Sequence, residues 1–455
     1  MSRFTTASLL EEPLSIVNLL IQEHWPEKGT DTIAIVQQTF LEHFANEQVR
    51  EKLIPSLQAK EEVKEGRLVR MWAVIRNNAL EPEFVYAVGE DGGNHSLWRS
   101  CESDLGANLI IRAVLSVKDA SAFVDFEEEL KKERDGDEAD VSLAYVYGKD
   151  VYELNKIYEF YGVQEDDGLH VLFSFPHSFS AQGVEFETSS EALLNYVNGV
   201  FGNKSIAVAL CSRVCQRVDG LLDTVALGNL TLCLSNFNSD QKPAFLNFLK
   251  TLFPQVVDIQ VNKPALEAGY LYPRVNVETG ELEASLLQLI PGSCVVLDEC
   301  ELDAVQLNDM GTRNIGALME LVRNMTVPYD FGYSEGHFPV DVPIIVLSKS
   351  SKSLLPCALN ISFNNCFTQS DIVSDISCNK LKHYVQVVRS ANVIIPEELN
   401  DLIEGDFSEE RVKNNAFDDK KLHVAISAAR TIAAMGGLSS VGQSEWREGF
   451  ELAKL

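Results

Sequence analysis

The stretch Cys294-Val295-Val296-Leu297-Asp298-Glu299 decides how this chain is read. Its four apolar residues are continuous rather than alternating, so they read as a strand buried on both faces, as in sheets flanked by helices. The acids that follow give it the form of a Walker B strand. In a nucleotide-binding α/β domain such an Asp holds Mg²⁺ and the Glu orients the attacking water. The plainer reading is a buried strand ending at two solvated acids, and taken alone the stretch favours it.

A nucleotide site also needs backbone N–H groups that cradle phosphates, in a Gly-rich loop ending in Lys-Ser/Thr. The pattern G-x-x-x-x-G-K-[ST] is absent upstream. A strand at Thr231–Leu234 leads into Ser235-Asn236-Phe237-Asn238-Ser239-Asp240-Gln241-Lys242-Pro243. That segment has no glycine, and Phe237 stands where close phosphate approach needs a small residue. Gly202-Asn203-Lys204-Ser205 has Asn203 between its Gly and Lys and reads as a helix start. ATP hydrolysis is not expected. No catalytic residue and no cofactor is assigned, and Asp298 and Glu299 stand as a degenerate remnant.

Outward from this strand, helix and strand alternate from Ser189 on. Helices are expected near 190–200 and 204–220, at Ala244–Phe253 and at Asn314–Asn324, with strands at Val256–Val261 and Val342–Leu347. This order predicts an α/β domain over 185–380 with a parallel or mixed sheet. A helical region, 381–455, follows with helices at Tyr384–Ser390, Pro396–Ile403 and Leu422–Met435, and a last one capped by Ser444. Upstream, short strands near Leu68–Ile75, Phe84–Val88, Asn108–Val117, Val141–Tyr147, Ile157–Val163 and Leu169–Phe175 predict a small barrel or sandwich over 61–180. The acidic stretch 118–140 interrupts it as a solvated linker. Residues 1–60 form a helical region, with Leu14, Val17, Leu20 and Ile21 on one face and Ile35, Phe40 and Phe44 on another.

The chain has 455 residues, with 38 Lys plus Arg against 67 Asp plus Glu, a formal net charge of −29. Such a chain is repelled by phosphate backbones, so direct nucleic-acid binding and docking on anionic membranes are disfavoured and a basic protein partner is favoured. No secretory signal and no membrane span are expected. The nine cysteines show no framework spacing, which points to a reducing compartment. Cys211 and Cys215 read as two core thiols on one helix face, the eight histidines show no ligand spacing, and no metal site is expected. No G-x-S-x-G elbow supports a serine hydrolase.

Two segments are candidates for partner binding. Tyr329, Phe331, Tyr333 and Phe338 crowd a turn-rich stretch, where aromatics either fill the core under a loop or anchor a partner. Lys349 and Lys352 lie in the polar turn after the strand at Val342–Leu347, where they either face solvent or meet an acidic ligand.

Taken in order, several pieces resemble the minichromosome maintenance (MCM) complex-binding protein family. They are Leu286-Leu287-Gln288-Leu289, Val296-Leu297-Asp298-Glu299, Tyr329-Asp330-Phe331 with Tyr333 and Phe338-Pro339, and Leu354-Leu355-Pro356. Upstream pieces extend the likeness over nearly the whole chain: Pro13-Leu14, Pro55-Ser56-Leu57, Pro82-Glu83-Phe84, Tyr161-Gly162 and Leu227-Gly228. The resemblance implies a non-catalytic nuclear protein, with some cytoplasmic, that binds subunits of the replicative helicase. It implies roles in their assembly, stability or import, in removal of the helicase from chromatin, and in replication, sister-chromatid cohesion and the cell cycle. It further implies an OB-like barrel and a degenerate AAA+-like domain with a C-terminal helical lid. An AAA+-type ATPase and an acidic histone-binding chaperone are the rival readings. Where some family members carry a long basic-containing insert in the barrel region, only the acidic stretch near 118–140 stands here, and no clear basic import signal is visible.

Overall fold

The structure, a computed structural model, describes residues 3–57, 63–78, 80, 82–86, 109–120, 141–148, 150–179, 181, 183–213, 215–217, 225–228, 230–278, 282–283, 285–302, 306–363, 378–415 and 417–454. The chain forms two compact units, Met1–His177 and Ser178–Leu455.

The first unit opens with helices α1 (Thr6–Glu11), α2 (Pro13–Lys28), α3 (Thr32–Phe44) and α4 (Glu47–Leu53). Thr5 caps α1 through the Ser8 amide, and Pro13 starts α2, where its missing N–H is no loss. The apolar stripes are Ile16, Val17, Leu20, Ile21 and Trp25 on α2, and Ile33, Val36, Phe40 and Phe44 on α3. Ile35, expected on the buried face of α3, is only half-buried.

Six strands follow: β1 (Leu68–Asn77), β2 (Glu83–Tyr86), β3 (Leu109–Asp119), β4 (Val141–Tyr147), β5 (Ile157–Glu165) and β6 (Gly168–Pro176). Their order β1-β5-β6-β4-β3 closes into a barrel because β1 also pairs with β3, and β2 adds to β3. Val69, Met71, Ala73 and Ile75 of β1 pack with Val117, Val146, Phe160 and Val171, while Leu68 joins a second cluster with the helices. Burial on both faces is why β1 reads as apolar from Leu68 to Ile75, broken only by Arg70, which is itself buried. A bulge at Tyr161 and Gly162 turns β5, and a side chain at Gly162 would strike the His170 carbonyl. Of the expected acidic linker, Lys118 and Asp119 belong to β3, because their backbones continue its ladder with β1. Residues 121–140 lie outside the described residues, as do Ala87 and Val88 of the expected second strand.

The second unit runs α5 (Phe186–Phe201), α6 (Ser205–Cys211), β7 (Cys215–Arg217), β8 (Val225–Leu227), β9 (Leu232–Ser235), α7 (Lys242–Leu252) and β10 (Val256–Gln260). It continues through α8 (Lys263–Leu266), β11 (Arg274–Val275), β12 (Leu282–Glu283), β13 (Cys294–Asp298), α9 (Asp309–Asn324), β14 (Thr326–Asp330) and β15 (Glu335–Pro339). It ends with β16 (Ile344–Leu347), β17 (Leu359–Ser362), α10 (Cys378–Ser390), α11 (Asn400–Lys413), α12 (Asp419–Met435) and α13 (Gln443–Ala453). Five strands form a wholly parallel sheet, β10-β13-β16-β9-β17, and β13 and β16 are buried along their whole length. Helices α5, α6, α7, α10, α12 and α13 supply the rest of its core. A second sheet, β12-β11-β14-β15, carries the aromatic stretch.

Three local expectations are corrected. The helix expected over 204–220 ends at Cys211, where the Ser212 hydroxyl folds back onto the Ala209 carbonyl, and Cys215–Arg217 is a strand paired with Val225–Leu227. Cys211 and Cys215 therefore share no helix. The last helix is capped at Gly442, whose N–H donates to Glu445, and Ser444 lies inside it. The turn-rich aromatic stretch is a β-hairpin.

Candidate functional site

Open α/β sheets hold ligands at the carboxyl ends of their strands. Here β9, β13 and β16 bring Leu234, Asp298 and Leu347 into register at that edge. Lys242 is the first residue of α7, the helix that follows β9. Its Nζ lies 2.7 Å from Asp298 Oδ2 and 2.9 Å from Asp258 Oδ1 on β10. Asp298 Oδ1 accepts the Cys300 N–H at 3.0 Å. Burial opposes the charge on both partners, but the contacts outweigh it. They hold the Asp298 carboxyl below its usual range and raise the Lys242 ammonium above its own. Both oxygens of Asp298 are thus engaged within the protein.

Glu299 is buried beside it. One of its oxygens accepts the Ser353 hydroxyl at 3.0 Å and the Leu354 N–H at 3.1 Å, so it ties down the loop after β16. Lys349 and Lys352 lie exposed on that same loop.

The loop between β9 and α7 is closed on itself. Asn236 takes a left-handed conformation, φ 57°, which asparagine tolerates and which a phosphate loop gives to glycine. The Asn236 and Phe237 amides donate to the Ser350 and Ser348 carbonyls at 3.3 and 2.9 Å. The Asp240 amide donates to Asn238 Oδ1. Phe237 is buried, with ring centroids 5.3 Å from Phe363 and 5.8 Å from Phe245. The amides of Asn236, Phe237, Asp240 and Gln241 are thus engaged inside the fold, and a phenyl ring fills the space beneath.

Lys242 is the residue that the sequence reading passed over. It stands six positions beyond Asn236, the spacing from the first Gly to the Lys of a phosphate loop, but Gln241 and Pro243 replace the neighbouring Gly and Ser/Thr. Relaxing the two glycines and the Ser/Thr in the pattern finds it.

The hairpin separates the aromatic candidates. Tyr329 is fully buried, 4.6 Å edge-on to Phe338, and Phe331 lies 6.2 Å from Phe338. Phe331 and Phe338 are half-buried, whereas Tyr333 at the tip is 93% exposed. Burial is the foremost cause that pushes the Cys211, Cys294 and Cys300 thiols up to about 12, whereas a hydrogen bond with Cys357 lowers the Cys233 thiol. Among the described residues, no cluster of three or more His, Cys, Asp or Glu is arranged to hold a metal. No described helix is long and apolar enough to cross a membrane.

Comparison with known proteins places this geometry in a family. The family described as mini-chromosome maintenance replisome factor matches residues 176–455, more than half of the chain. A protein of Arabidopsis thaliana named mini-chromosome maintenance complex-binding protein is 25% identical over 276 residues, which cover 59% of this chain and 47% of that one. Proteins of the same name from Danio rerio and Homo sapiens are 24% and 25% identical over 279 and 282 residues, covering 58% of this chain in each case and 44% and 43% of theirs. The chain thus spans about half the length of the curated relatives it matches. It belongs to the mini-chromosome maintenance replisome factor family.

Proposed function

We propose that this member of the family is a non-catalytic binding protein for subunits of the mini-chromosome maintenance complex. The observation that carries the non-catalytic half is the Lys242–Asp298 ion pair at 2.7 Å. Where a nucleotide-binding domain sets an acid to hold Mg²⁺, this chain supplies its own ammonium. The names of the relatives support the other half.

The second unit is proposed to be an AAA+-like domain that has lost its nucleotide, with α10 to α13 as its helical lid. Counting β9 as the first strand of the sheet, the order is 2-3-4-1-5. Acids end strand 3, a lysine opens the helix after strand 1, and a polar loop follows strand 4. This order supports the reading, with the two acids kept and the phosphate loop replaced. The barrel of the first unit is proposed to be OB-like, on its five closed strands.

A fold of this kind can occupy the face that one helicase subunit offers to the next. Ring interfaces are large and apolar, so an unpaired subunit needs its patch covered. The proposed consequences are support of subunit assembly, stability or nuclear import, and removal of the helicase from chromatin. Roles in replication, cohesion and the cell cycle follow, in the nucleus and partly in the cytoplasm.

The test mixes the purified chain with MCM subunits, free and loaded on DNA. Tighter binding to free subunits is expected. Equal affinity for the loaded ring sinks the mimicry, and no binding to either sinks the reading. Millimolar Mg-ATP is expected to leave the melting temperature unmoved; a rise of several degrees would restore the ATPase reading, because a ligand stabilises by mass action. A histone chaperone would bind histones as well as it binds helicase subunits.

A further inference from the structure

We propose that the tip of the β14–β15 hairpin is a docking element, with Tyr333 as the anchor that enters a pocket rimmed by Lys and Arg on a protein partner. This rests on the reading above and names the surface that would serve it.

Tyr333 is 93% exposed, while the other aromatics of the hairpin serve to hold it up. Tyr329 is buried at its base, with Phe331 and Phe338 around it. Gly336 makes room for that cluster: a methyl group there would stand 3.0 Å from the Phe338 ring and 3.2 Å from the Phe331 ring. The turn itself is fixed. The Phe331 N–H donates to the Ser334 carbonyl at 2.9 Å, and Asp330 Oδ1 accepts the Gly332 N–H at 2.8 Å. Gly332 takes φ 80°, which costs a glycine little. Asp330 is in turn held by Arg274 Nε at 3.2 Å. A large side chain on a preorganised turn has little entropy to lose on docking, and tyrosine is among the residues that dominate interfaces.

Charge selects the partner. From Thr326 to Val340 the hairpin carries Asp330 and Glu335 and neither Lys nor Arg. Glu335 is exposed beside the tip, 3.7 Å from His337 Nε2, and Glu320 on α9 lies 2.6 Å from His337 Nδ1. The chain as a whole carries −29. Such a tip repels phosphate backbones and a second copy of itself. It complements a basic rim, where a guanidinium can also lie on the phenol ring.

The experiment uses the whole chain with a benzophenone amino acid at position 333, and separately Tyr333→Ala and Glu335→Lys, against purified MCM subunits. Tyr333→Ala is expected to weaken binding roughly thirtyfold while leaving the melting temperature unchanged. Glu335→Lys is expected to slow association, more so at about 0.05 M salt than at about 0.3 M. The crosslink is expected on a subunit, at a surface lined by Lys and Arg. If the unaltered chain binds and Tyr333→Ala binds equally well, the docking proposal fails and the family reading stands. If the unaltered chain does not bind, the reading falls and takes the proposal with it. A crosslink to DNA or to a second copy of this chain also overturns it.

Discussion

In the first unit Glu159 lies between two guanidinium groups, with Arg70 Nη1 at 3.7 Å and Arg50 Nη2 at 4.0 Å. In the second unit Asp298 lies against one ammonium, with Lys242 Nζ at 2.7 Å. Two cations against one carboxylate suggest the stronger hold, yet the reverse is found. Burial raises the Glu159 carboxyl above its usual range, and Tyr161, Arg50 and Arg70 do not bring it back. Lys242 and the Cys300 amide overcome the same penalty at Asp298. At Asp298 the short contacts of Lys242 and the Cys300 amide outweigh burial, whereas at Glu159 one hydrogen bond from Tyr161 and two more distant guanidinium groups do not.

The arginines are engaged elsewhere. Arg50 donates to the Tyr161 hydroxyl at 2.9 Å and to the Phe44 and Ala45 carbonyls at 3.1 and 2.7 Å, and its guanidinium lies 4.0 Å over the Phe175 ring. Arg70 lies 4.5 Å over the Trp72 ring. Arg50 therefore fastens the end of α3 to the barrel, and Glu159 is its lesser partner. Lys242 is directed instead at carboxylates on two strands, β10 and β13.

The largest effect is expected from Arg50→Ala, which strands a phenol, two carbonyls and a buried carboxylate together. Urea unfolding should show a loss of about 3–5 kcal/mol in the first unit. A loss below about 1 kcal/mol would mean that the arginine is decoration. Lys242→Ala leaves Asp298 buried without its cation and should lose about 1–3 kcal/mol at neutral pH. The pair Lys242→Met with Asp298→Leu should recover most of that loss, since an apolar replacement of a buried ion pair is often neutral. If the double variant is the less stable of the two, the ion pair is more than a filler for a lost site.

The strand β13 was legible because a strand buried on both faces admits no polar residue, so its sequence runs apolar until the sheet ends. The barrel strands were legible from short apolar and aromatic runs between turn signals, although Arg70, Arg112, Glu159 and His170 are buried among them. The Lys242–Asp298 pair was not, because its partners lie 56 residues apart and only the sheet order makes them neighbours. The hairpin hid behind its own punctuation. Pro328, Gly332, Gly336 and Pro339 read as loop, yet Pro328 lies within β14, and Pro339 ends β15, an edge strand where a missing N–H costs no ladder bond. The exposure of Tyr333 beside a buried Tyr329 follows from which side chains the turn leaves unsupported, which the residue types do not announce. The continuation of a helix through Ser212 was overread, because a hydroxyl bonding back to its own turn ends a helix without glycine or proline.

The smallest effect concerns pH and separates the two units' logic within one barrel. His170 is buried, with Tyr147 Oη 2.8 Å from Nδ1 and Asp167 Oδ1 3.0 Å from Nε2. Burial lowers its imidazole below the usual value despite Asp167, with Arg112 working in the same direction and Glu83 against it. A lowered histidine contributes stability that is present above about pH 6.5 and is lost as pH falls through its folded value. Glu159 has the opposite sign: its contribution is present below about pH 4.5 and is lost as pH rises through its raised value. On acidification the two oppose each other, His170 withdrawing stability below about pH 6.5 while Glu159 returns it as pH falls through its raised value. Glu159→Gln fixes the neutral form, so it should match or slightly exceed the unaltered chain at pH 7.5. It should then lose melting temperature more steeply than the unaltered chain as pH falls through the raised Glu159 value, at about 2–4 °C per kcal/mol. A marked loss at pH 7.5 would show that the charged carboxylate is what the two arginines require, and the contrast with Asp298 would collapse.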